Sequence, residues 1–202
     1  TSLSIALVNR AASDYGDSVI AGMGAVTRIT SMGTLVVFGF LKGFQPIAGF
    51  SYGAKQFDRL REAIKTSIIW STSFCLVVGL VMAVFSTQII SQFTEGDTQM
   101  ILAGQKSLFA NGLTFILFGF YTVYSSLFLA LGKGAAGFFL GACRQGICFI
   151  PVILLLPMVW GMNGILYAQP IADIISVVIT LFMAIHLHKE ISIAESRTKT
   201  IT

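Results

Sequence analysis

The sequence has few charged residues for its length. Only 11% of its 202 residues are Asp, Glu, Lys or Arg, whereas 55% are hydrophobic. A soluble domain of this length needs a larger charged surface to remain dispersed in water. The mean hydropathy of +0.83 and several long apolar runs instead indicate a surface that faces lipid. The composition therefore excludes an ordinary soluble domain and predicts an integral membrane protein.

Cysteine and histidine are also scarce, with three and two residues respectively. The cysteines lie inside apolar runs without CxxC spacing, which favours small hydrophobic side chains over metal ligands. His186 and His188 stand at i and i+2, which do not share a helix face. The segment 132–137 matches GxGxxG only literally, because it follows a membrane helix rather than a strand. We therefore predict no enzyme, no catalytic residue and no metal or cofactor site.

Long apolar runs predict the fold, because a helix needs about 20 mostly apolar residues to cross a bilayer. The five runs that meet this length are 19–49, 66–86, 108–131, 138–160 and 165–187. The apolar segment 1–12 is predicted to be the end of a truncated helix, and we expect the sequence to belong to a longer protein. The polar residues 189–202 are expected to form a fraying tail. The predicted fold class is all-α, a polytopic membrane helix bundle with about five full transmembrane helices plus a truncated one.

Basic residues are concentrated in every second connecting segment. The segments 51–65 and 132–137 and the C-terminal tail carry many Lys and Arg residues, whereas the connections on the opposite side carry only Lys106. Since basic loops remain on the cytoplasmic side, we predict that these loops and the C-terminus are cytoplasmic. The same distribution accounts for the net charge of +4 without a basic patch for nucleic acid, and we expect no nucleic-acid partner.

Ionisable side chains within the spans are the strongest functional signal, because each is costly in lipid unless it is paired or hydrated. Asp173, near the middle of the last span, is the main candidate for a titrating or cation-binding group. The alternative is a structural hydrogen bond or an ion pair with Arg144 or Arg28. Arg28 lies in the outer half of its span. Lys42 and Arg144 are predicted to lie near the cytoplasmic surface and to extend their charges to the interface.

Amide side chains next to prolines are further candidates. Gln45-Pro46 and Gln169-Pro170 each combine an amide with a proline that removes a backbone donor from a helix. The amides can bind a ligand or join helices. Pro46 either kinks its helix or ends it near the cytoplasmic surface. Asn9, at the end of the truncated helix, is open to both the ligand and the structural interpretation.

Two further patterns concern packing. Glycines four positions apart indicate places where helices approach closely. Such pairs are Gly39 and Gly43, Gly49 and Gly53, and Gly137 and Gly141. The predicted helix 108–131 is rich in Phe and Tyr. Most of these rings are expected to face lipid or other helices, and a minority to line a cavity suited to flat, apolar cations.

Three stretches together resemble the MATE (multidrug and toxic compound extrusion) family of transporters. GFLKGFQPIAGFSYGAKQFDRLREAI (39–64) resembles the end of a membrane helix and the following cytoplasmic loop of that family. ALGKGAAGFFLGACRQGICFIPVILLLP (130–157), followed by GMNGILYAQPIAD (161–173), resembles its last two helices. NRAASDYGD (9–17) resembles the end of its seventh helix. The resemblance covers nearly the whole chain in order.

This resemblance implies that residues 1–188 are the C-terminal lobe of a two-lobe transporter. The protein would be a secondary active multidrug efflux transporter of a bacterial plasma membrane, exporting drug-like organic compounds, often cationic, in exchange for Na⁺ or H⁺. Its partners would be the bilayer and its own N-terminal lobe. The cleft would lie along the helices 19–49 and 108–131 and include Gln45. Some branches of the family use acidic residues in helices seven and ten, but 108–131 contains none, which leaves Asp173.

Two alternatives to this function remain open at the level of the sequence. One is a flippase for lipid-linked precursors of similar architecture, which would favour a hydrated, basic cleft. Arg28 and Arg144 are compatible with such a cleft. The other is a non-transporting membrane scaffold or an inactive, truncated product.

Overall fold

The computed structural model describes residues 8, 10, 16–94 and 96–201, with side chains as far as Ser196. This part of the chain forms helices joined by short turns and contains no strand. The helices are α1 (Asp17–Gly53), α2 (Phe57–Val84), α3 (Ser86–Ser91), α4 (Thr98–Ala130), α5 (Gly134–Ala142), α6 (Phe149–Trp160) and α7 (Met162–Ile201). A π-helical turn, Cys143–Ile147, connects α5 to α6.

Five helical segments are long and apolar enough to cross a membrane: α1, α2, α4, the combined α5 and α6, and α7. The predicted fold class is therefore confirmed, although the truncated helix 1–12 lies outside the described residues except at residues 8 and 10. The helices extend beyond the apolar runs. At 1.5 Å per residue the 33 residues of α4 span about 50 Å, whereas the hydrocarbon core is about 30 Å thick. Polar residues at the helix ends therefore continue the helices outside the lipid.

Helix α4 is the centre of the bundle. It packs against α1, α2, α3, α5 and α7. In its most apolar stretch 61% of the residues are buried, against 28% to 39% in the other spans. Phe115, Phe118, Tyr121 and Tyr124 are buried on α4, whereas Phe109 is exposed. The ring-rich sequence of α4 thus forms much of the core and not a lipid-facing surface.

The interface between α2 and α4 depends on glycines that bring two backbones together. A Cβ atom at Gly79 would lie 2.4 Å from the carbonyl oxygen of Gly112, and one at Gly112 would lie 2.6 Å from that of Gly79. Further along, a Cβ atom at Gly119 would lie 2.8 Å from the backbone of Ser71. These separations are too short for any real Cβ contact, so only glycine permits this approach.

The glycine pairs predicted from spacing mark close contacts only in part. Gly39, Gly43, Gly53 and Gly141 would each present a Cβ atom to open space. Of the other members, Gly49 approaches the carbonyl of Ala130 at 3.1 Å and Gly137 approaches the side chain of Leu129. The spacing therefore predicted a close approach correctly at Gly49 and Gly137, both against α4, and wrongly at their partners Gly53 and Gly141 and at the pair Gly39 and Gly43.

Pro46 and Pro170, the two prolines that follow a glutamine, both lie inside helices. Helix α1 continues from Pro46 to Gly53, so the interpretation that Pro46 ends its helix was wrong. Pro170 lies inside α7 and is buried. Each helix therefore continues through a position that lacks a backbone N–H donor.

Helix α7 continues through the residues that were expected to form a fraying tail. Arg61 on α2 forms a 2.6 Å ion pair with Glu195. Lys133, in the turn before α5, is paired with Glu190. Tyr124 and His188 are joined by a hydrogen bond of 2.8 Å between Oη and Nε2. These contacts hold the polar end of α7 against α2, α4 and the turn before α5, and the expectation of fraying was wrong as far as Ser196.

A hydrogen-bonded cap begins helix α4. The side chain of Asp97 accepts hydrogen bonds from the hydroxyl of Ser18 and from the backbone N–H groups of Met100 and Gln99. Because these bonds favour the ionised form, they hold the pKa of Asp97 below its ordinary value. Since Ser18 belongs to the first turn of α1, the cap also connects the starts of α1 and α4.

Replacing Asp97 with asparagine is expected to lower stability at neutral pH and to remove the pH dependence contributed by this carboxylate. Asparagine still caps the helix but carries no charge. Because the folded-state pKa is lowered, the carboxylate stabilises fully above the unfolded-state pKa, and this stabilisation is lost as the pH falls through the folded-state pKa. Thermal unfolding of the full-length protein in detergent, measured in steps of pH, should show the two proteins converging in acid. An equal difference at every pH would contradict the assignment.

Candidate functional site

A buried ion pair joins the π-helical turn to α7. Nε of Arg144 donates to Oδ1 of Asp173 at 2.8 Å, and its Nη2 donates to Oδ2 at 3.3 Å. The two side chains are only 11% and 10% exposed. Such a two-pronged contact between guanidinium and carboxylate fixes both groups in one plane. Asp173 thus forms the predicted ion pair with Arg144, and Arg28 is not the partner.

Neighbouring helices hold this pair in place. Nε2 of Gln169, one turn before Asp173 on α7, donates to Oδ1 of the same carboxylate at 2.9 Å. The ring of Phe118 on α4 lies 4.5 Å from Cζ of Arg144, a cation–π contact. The hydroxyl of Tyr121, one turn further along α4, donates to the carbonyl of Leu140 on α5 at 2.6 Å. Contacts from α4, α5 and α7 therefore hold the ion pair in position.

The π-helical turn places Arg144 in this position. Its hydrogen bond runs from the N–H of Cys148 to the carbonyl of Cys143 at 2.8 Å, five residues apart. Pro151, four residues after Ile147, has no N–H to offer the carbonyl at the end of the turn. Single π-helical turns inside membrane helices are frequent at functional sites. The prolines at 151 and 157 were visible in the sequence, but the π turn was not predicted.

One side of the ion pair borders a cavity of about 310 Å³ between α1, α4, α6 and α7, here called the hydroxyl cavity. Its α1 wall carries a helical stripe of four hydroxyl groups: Thr27, Thr30, Ser31 and Thr34. Each hydroxyl donates to the carbonyl four residues earlier, at 2.7 to 2.9 Å. Since the donors are satisfied within the helix, oxygen lone pairs remain for a bound molecule.

The other side borders a cavity of about 360 Å³ between α1, α4 and α5, here called the Lys42 cavity. Its polar wall includes Lys42 and Gln45 together with hydroxyl groups of α4. The residues common to both cavities are Phe38, Arg144 and Gln145. The guanidinium therefore lies at the boundary between two cavities, whereas Asp173 lines neither of them.

The structure brings together three of the residues predicted as site candidates: Arg144, Gln169 and Asp173. The expectation that Arg144 extends to the interface was wrong, because its side chain is buried and paired. Gln169 also lines the hydroxyl cavity. Gln45, on α1, lines the Lys42 cavity and not the hydroxyl cavity.

The other candidates lie apart from this site. Arg28 is exposed on α1 and lines neither cavity. Asn9 lies outside the described residues. Asn111, which sequence reasoning did not select, is buried on α4, donates to the carbonyl of Ser107 at 2.9 Å and lines the hydroxyl cavity. An amide in the middle of an apolar run was the signal that would have identified it. Among the described residues, no three His, Cys, Asp or Glu side chains are grouped as a metal site requires.

Five helices that are long and apolar enough to cross a membrane, with a buried ion pair between two cavities, define a polytopic membrane protein. The MatE family model matches residues 1–155, over three quarters of the chain. The chain belongs to this family, and the resemblance to MATE transporters is confirmed.

Characterised relatives share the same region at low identity. The multidrug export protein MepA of Staphylococcus haemolyticus (strain JCSC1435) is 22% identical over 187 residues, which cover 93% of this chain and 41% of that protein. MepA of Staphylococcus aureus (strain MRSA252) is 26% identical over 167 residues, which cover 79% and 35% respectively. The chain thus spans about two fifths of the length of the curated relatives it matches.

Solved structures show the same fold. A MATE transporter in the bent conformation superposes with a TM-score of 0.87 at 17% identity, covering 96% of this chain and 43% of that one. The Vibrio cholerae transporter VcmN in its bent form gives 0.82 at 19% identity, covering 96% and 43%. The matched share of those chains is consistent with one lobe of a two-lobe transporter.

Proposed function

We propose that this chain is the C-terminal lobe of a secondary active multidrug efflux transporter that exports organic, often cationic, compounds in exchange for Na⁺ or H⁺. Family membership and two relatives named as multidrug export proteins support export. The observation that carries the proposal is the buried pair of Arg144 and Asp173 between two cavities. Ionisable side chains inside a membrane bundle are costly and rare, and they commonly belong to substrate or ion pathways.

The cavities have the chemistry that export of varied organic compounds requires. The hydroxyl cavity combines the α1 hydroxyl stripe with the apolar and aromatic side chains of Phe38, Phe149 and Ile165. Apolar walls with a few polar groups bind flat organic molecules without a strict hydrogen-bond pattern. In the proposed protein the N-terminal lobe supplies the opposite wall, and the two lobes alternate between access to the cytoplasm and to the outside of a bacterial plasma membrane.

The ion pair suggests how a coupling ion would act. Both oxygens of Asp173 are occupied, by Arg144 and by Gln169. A proton or Na⁺ that binds this carboxylate would compete with Arg144 for it, because three of its roughly four lone-pair positions already accept hydrogen bonds. Since Arg144 belongs to the π turn that lines both cavities, release of the guanidinium would change the boundary between them. Ion binding and cavity access would thus be linked through one side chain.

The flippase alternative receives less support. A phosphate-bearing head group requires an uncompensated basic cleft. Arg144 is neutralised by Asp173, and Arg28 lines neither cavity. Within the described part of the chain, Lys42 is the one Lys or Arg besides Arg144 that lines either of the two cavities. Export of organic compounds is therefore the better-supported function.

Imposed ion gradients test the proposal directly. The full-length protein is reconstituted in vesicles, loaded with a fluorescent cationic dye, and given a Na⁺ gradient or a pH gradient separately. We expect one of the two gradients to increase dye transport several-fold over protein-free vesicles, and an ionophore that dissipates it to abolish the increase. Transport that responds to neither gradient would contradict secondary active efflux.

A further inference from the structure

Arg144 is the charged residue that the two cavities share. Its side chain lines both the hydroxyl cavity and the Lys42 cavity. In the hydroxyl cavity it is the only Lys, Arg, Asp or Glu side chain among the described lining residues. Asp173 lines neither cavity. The ion pair therefore presents its cationic side, and not its carboxylate, to a bound compound.

The guanidinium has N–H donors that Asp173 does not use. Arginine carries five N–H groups in a planar fork, and the described structure shows two of them, on Nε and Nη2, donating to Asp173. This occupies one edge of the plane, while the ring of Phe118 lies against the side chain at 4.5 Å from Cζ. The second edge, formed by Nη1 and Nη2, is left for an acceptor. Two parallel N–H groups on such an edge match a carboxylate.

The charges favour a particular class of compound. Arg144 and Asp173 together are neutral, so a bound carboxylate adds one uncompensated negative charge in a site of low dielectric. A cationic group on the same compound would cancel that charge. The hydroxyl stripe and the nearby aromatic rings would contact the remaining flat, apolar part of the compound. A zwitterionic aromatic compound fits these three requirements better than a simple cation does.

We propose that Arg144 is a specificity-determining residue, which binds the carboxylate of zwitterionic aromatic substrates while Asp173, Gln169 and Phe118 position its guanidinium. This inference rests on the proposed function, because it names the substrate class of the same site. In this proposal Asp173 positions the guanidinium of Arg144, in addition to any role that it has in ion coupling.

A matched pair of dyes tests this assignment. Rhodamine B is a zwitterion with a free carboxylate, and its ethyl ester is a cation of nearly the same shape. Binding of each dye to the purified full-length transporter is measured by fluorescence polarisation without any ion gradient. We expect the wild type to bind rhodamine B roughly tenfold more tightly than the ester, the ratio expected for a charge-assisted hydrogen bond.

Two variants separate binding from folding. Arg144→Lys keeps the charge but cannot offer a planar edge, and the double variant R144Q/D173N leaves no unpaired charge. Both are expected to lose the preference for rhodamine B while they bind the ester nearly as the wild type does. Arg28→Gln is the control, because Arg28 is exposed and lines neither cavity, and it should retain the preference.

Each result has a distinct consequence. If both dyes weaken equally in the Arg144 variants, or if the wild type prefers the ester, the assignment of Arg144 is wrong. If the wild type binds rhodamine B with the expected preference but neither gradient drives export, the specificity assignment stands and the proposed efflux function fails. The binding assay and the gradient assay therefore test the two proposals separately.

Discussion

Replacing Asp173 with asparagine is expected to destabilise the lobe by about 3 to 5 kcal/mol, the range observed when one partner of a buried ion pair is removed. The carboxylate accepts two hydrogen bonds from Arg144 and one from Gln169. Asparagine has nearly the same shape but no charge. It would leave the guanidinium, whose side chain is 11% exposed, as an uncompensated cation inside the bundle. Thermal unfolding of the purified full-length protein in detergent should show a fall of several degrees.

The double variant R144Q/D173N is the matched control for this result. A glutamine and an asparagine can hydrogen-bond to each other without any net charge, and replacing both members of a buried pair is often nearly neutral. We therefore expect the double variant to recover most of the stability lost in Asp173→Asn. If the losses of the single variants Asp173→Asn and Arg144→Gln simply add in the double variant, the residues do not interact, and the ion pair as described is wrong.

The same double variant examines ion coupling in a folded protein. If Asp173 binds the coupling ion, R144Q/D173N should fold but lose the response of dye transport to the ion gradient. A preserved response would remove Asp173 from the coupling mechanism. The single variant cannot decide this point, because misfolding and loss of coupling would both abolish transport.

The sequence identified both members of the ion pair but misplaced Arg144. The apolar run suggested a span that starts at residue 138, which would leave Arg144 less than two turns from the membrane surface. Helix α5 instead begins at Gly134, and the side chain of Arg144, in the π turn after α5, is buried between α4 and α7 and paired with Asp173. The hydrophobic run indicates where a residue lies along a span but not which neighbour its side chain faces, so the prediction that Arg144 extends outward was wrong.

The hydroxyl cavity was missed for a different reason. Thr27, Thr30, Ser31 and Thr34 were read as part of an apolar, glycine-rich span. Each of these hydroxyl groups is satisfied by a carbonyl of its own helix, so serine and threonine are tolerated in membrane helices with or without a ligand. Their spacing shows that they share a face of α1, but only the packing of α4, α6 and α7 around that face makes it the wall of a cavity.

Glycine spacing likewise could not identify the close contact between α2 and α4. Gly79 is the single glycine of α2, and its counterparts Gly112 and Gly119 on α4 are seven positions apart and not four. The contact arises from glycines on two different helices that meet at the same level. A pattern within one helix contains no information about the neighbour it faces, so Gly39 and Gly43 satisfied the motif without forming a contact.

Replacing Gly79 with alanine is expected to have the second large effect, because the new methyl group would lie 2.4 Å from the carbonyl oxygen of Gly112. The obstructing atom belongs to the backbone of the central helix, so no side-chain rotation can relieve the overlap, and α2 must move away from α4. Overpacking of this kind costs about 1 to 3 kcal/mol, and occasionally more. We expect a lower thermal stability and a smaller yield of folded full-length protein.

Gly43→Ala is the control for the substitution itself. A Cβ atom at Gly43 meets nothing within 4 Å, and alanine favours a helix over glycine by up to about 1 kcal/mol, so this variant should be neutral or slightly more stable. Equal stability of the two alanine variants would mean that α2 and α4 do not approach as closely as described. A loss confined to Gly79→Ala, and matched by Gly112→Ala, would locate a close backbone contact at the crossing of α2 and α4, on the same central helix that carries Phe118 beside the guanidinium of Arg144.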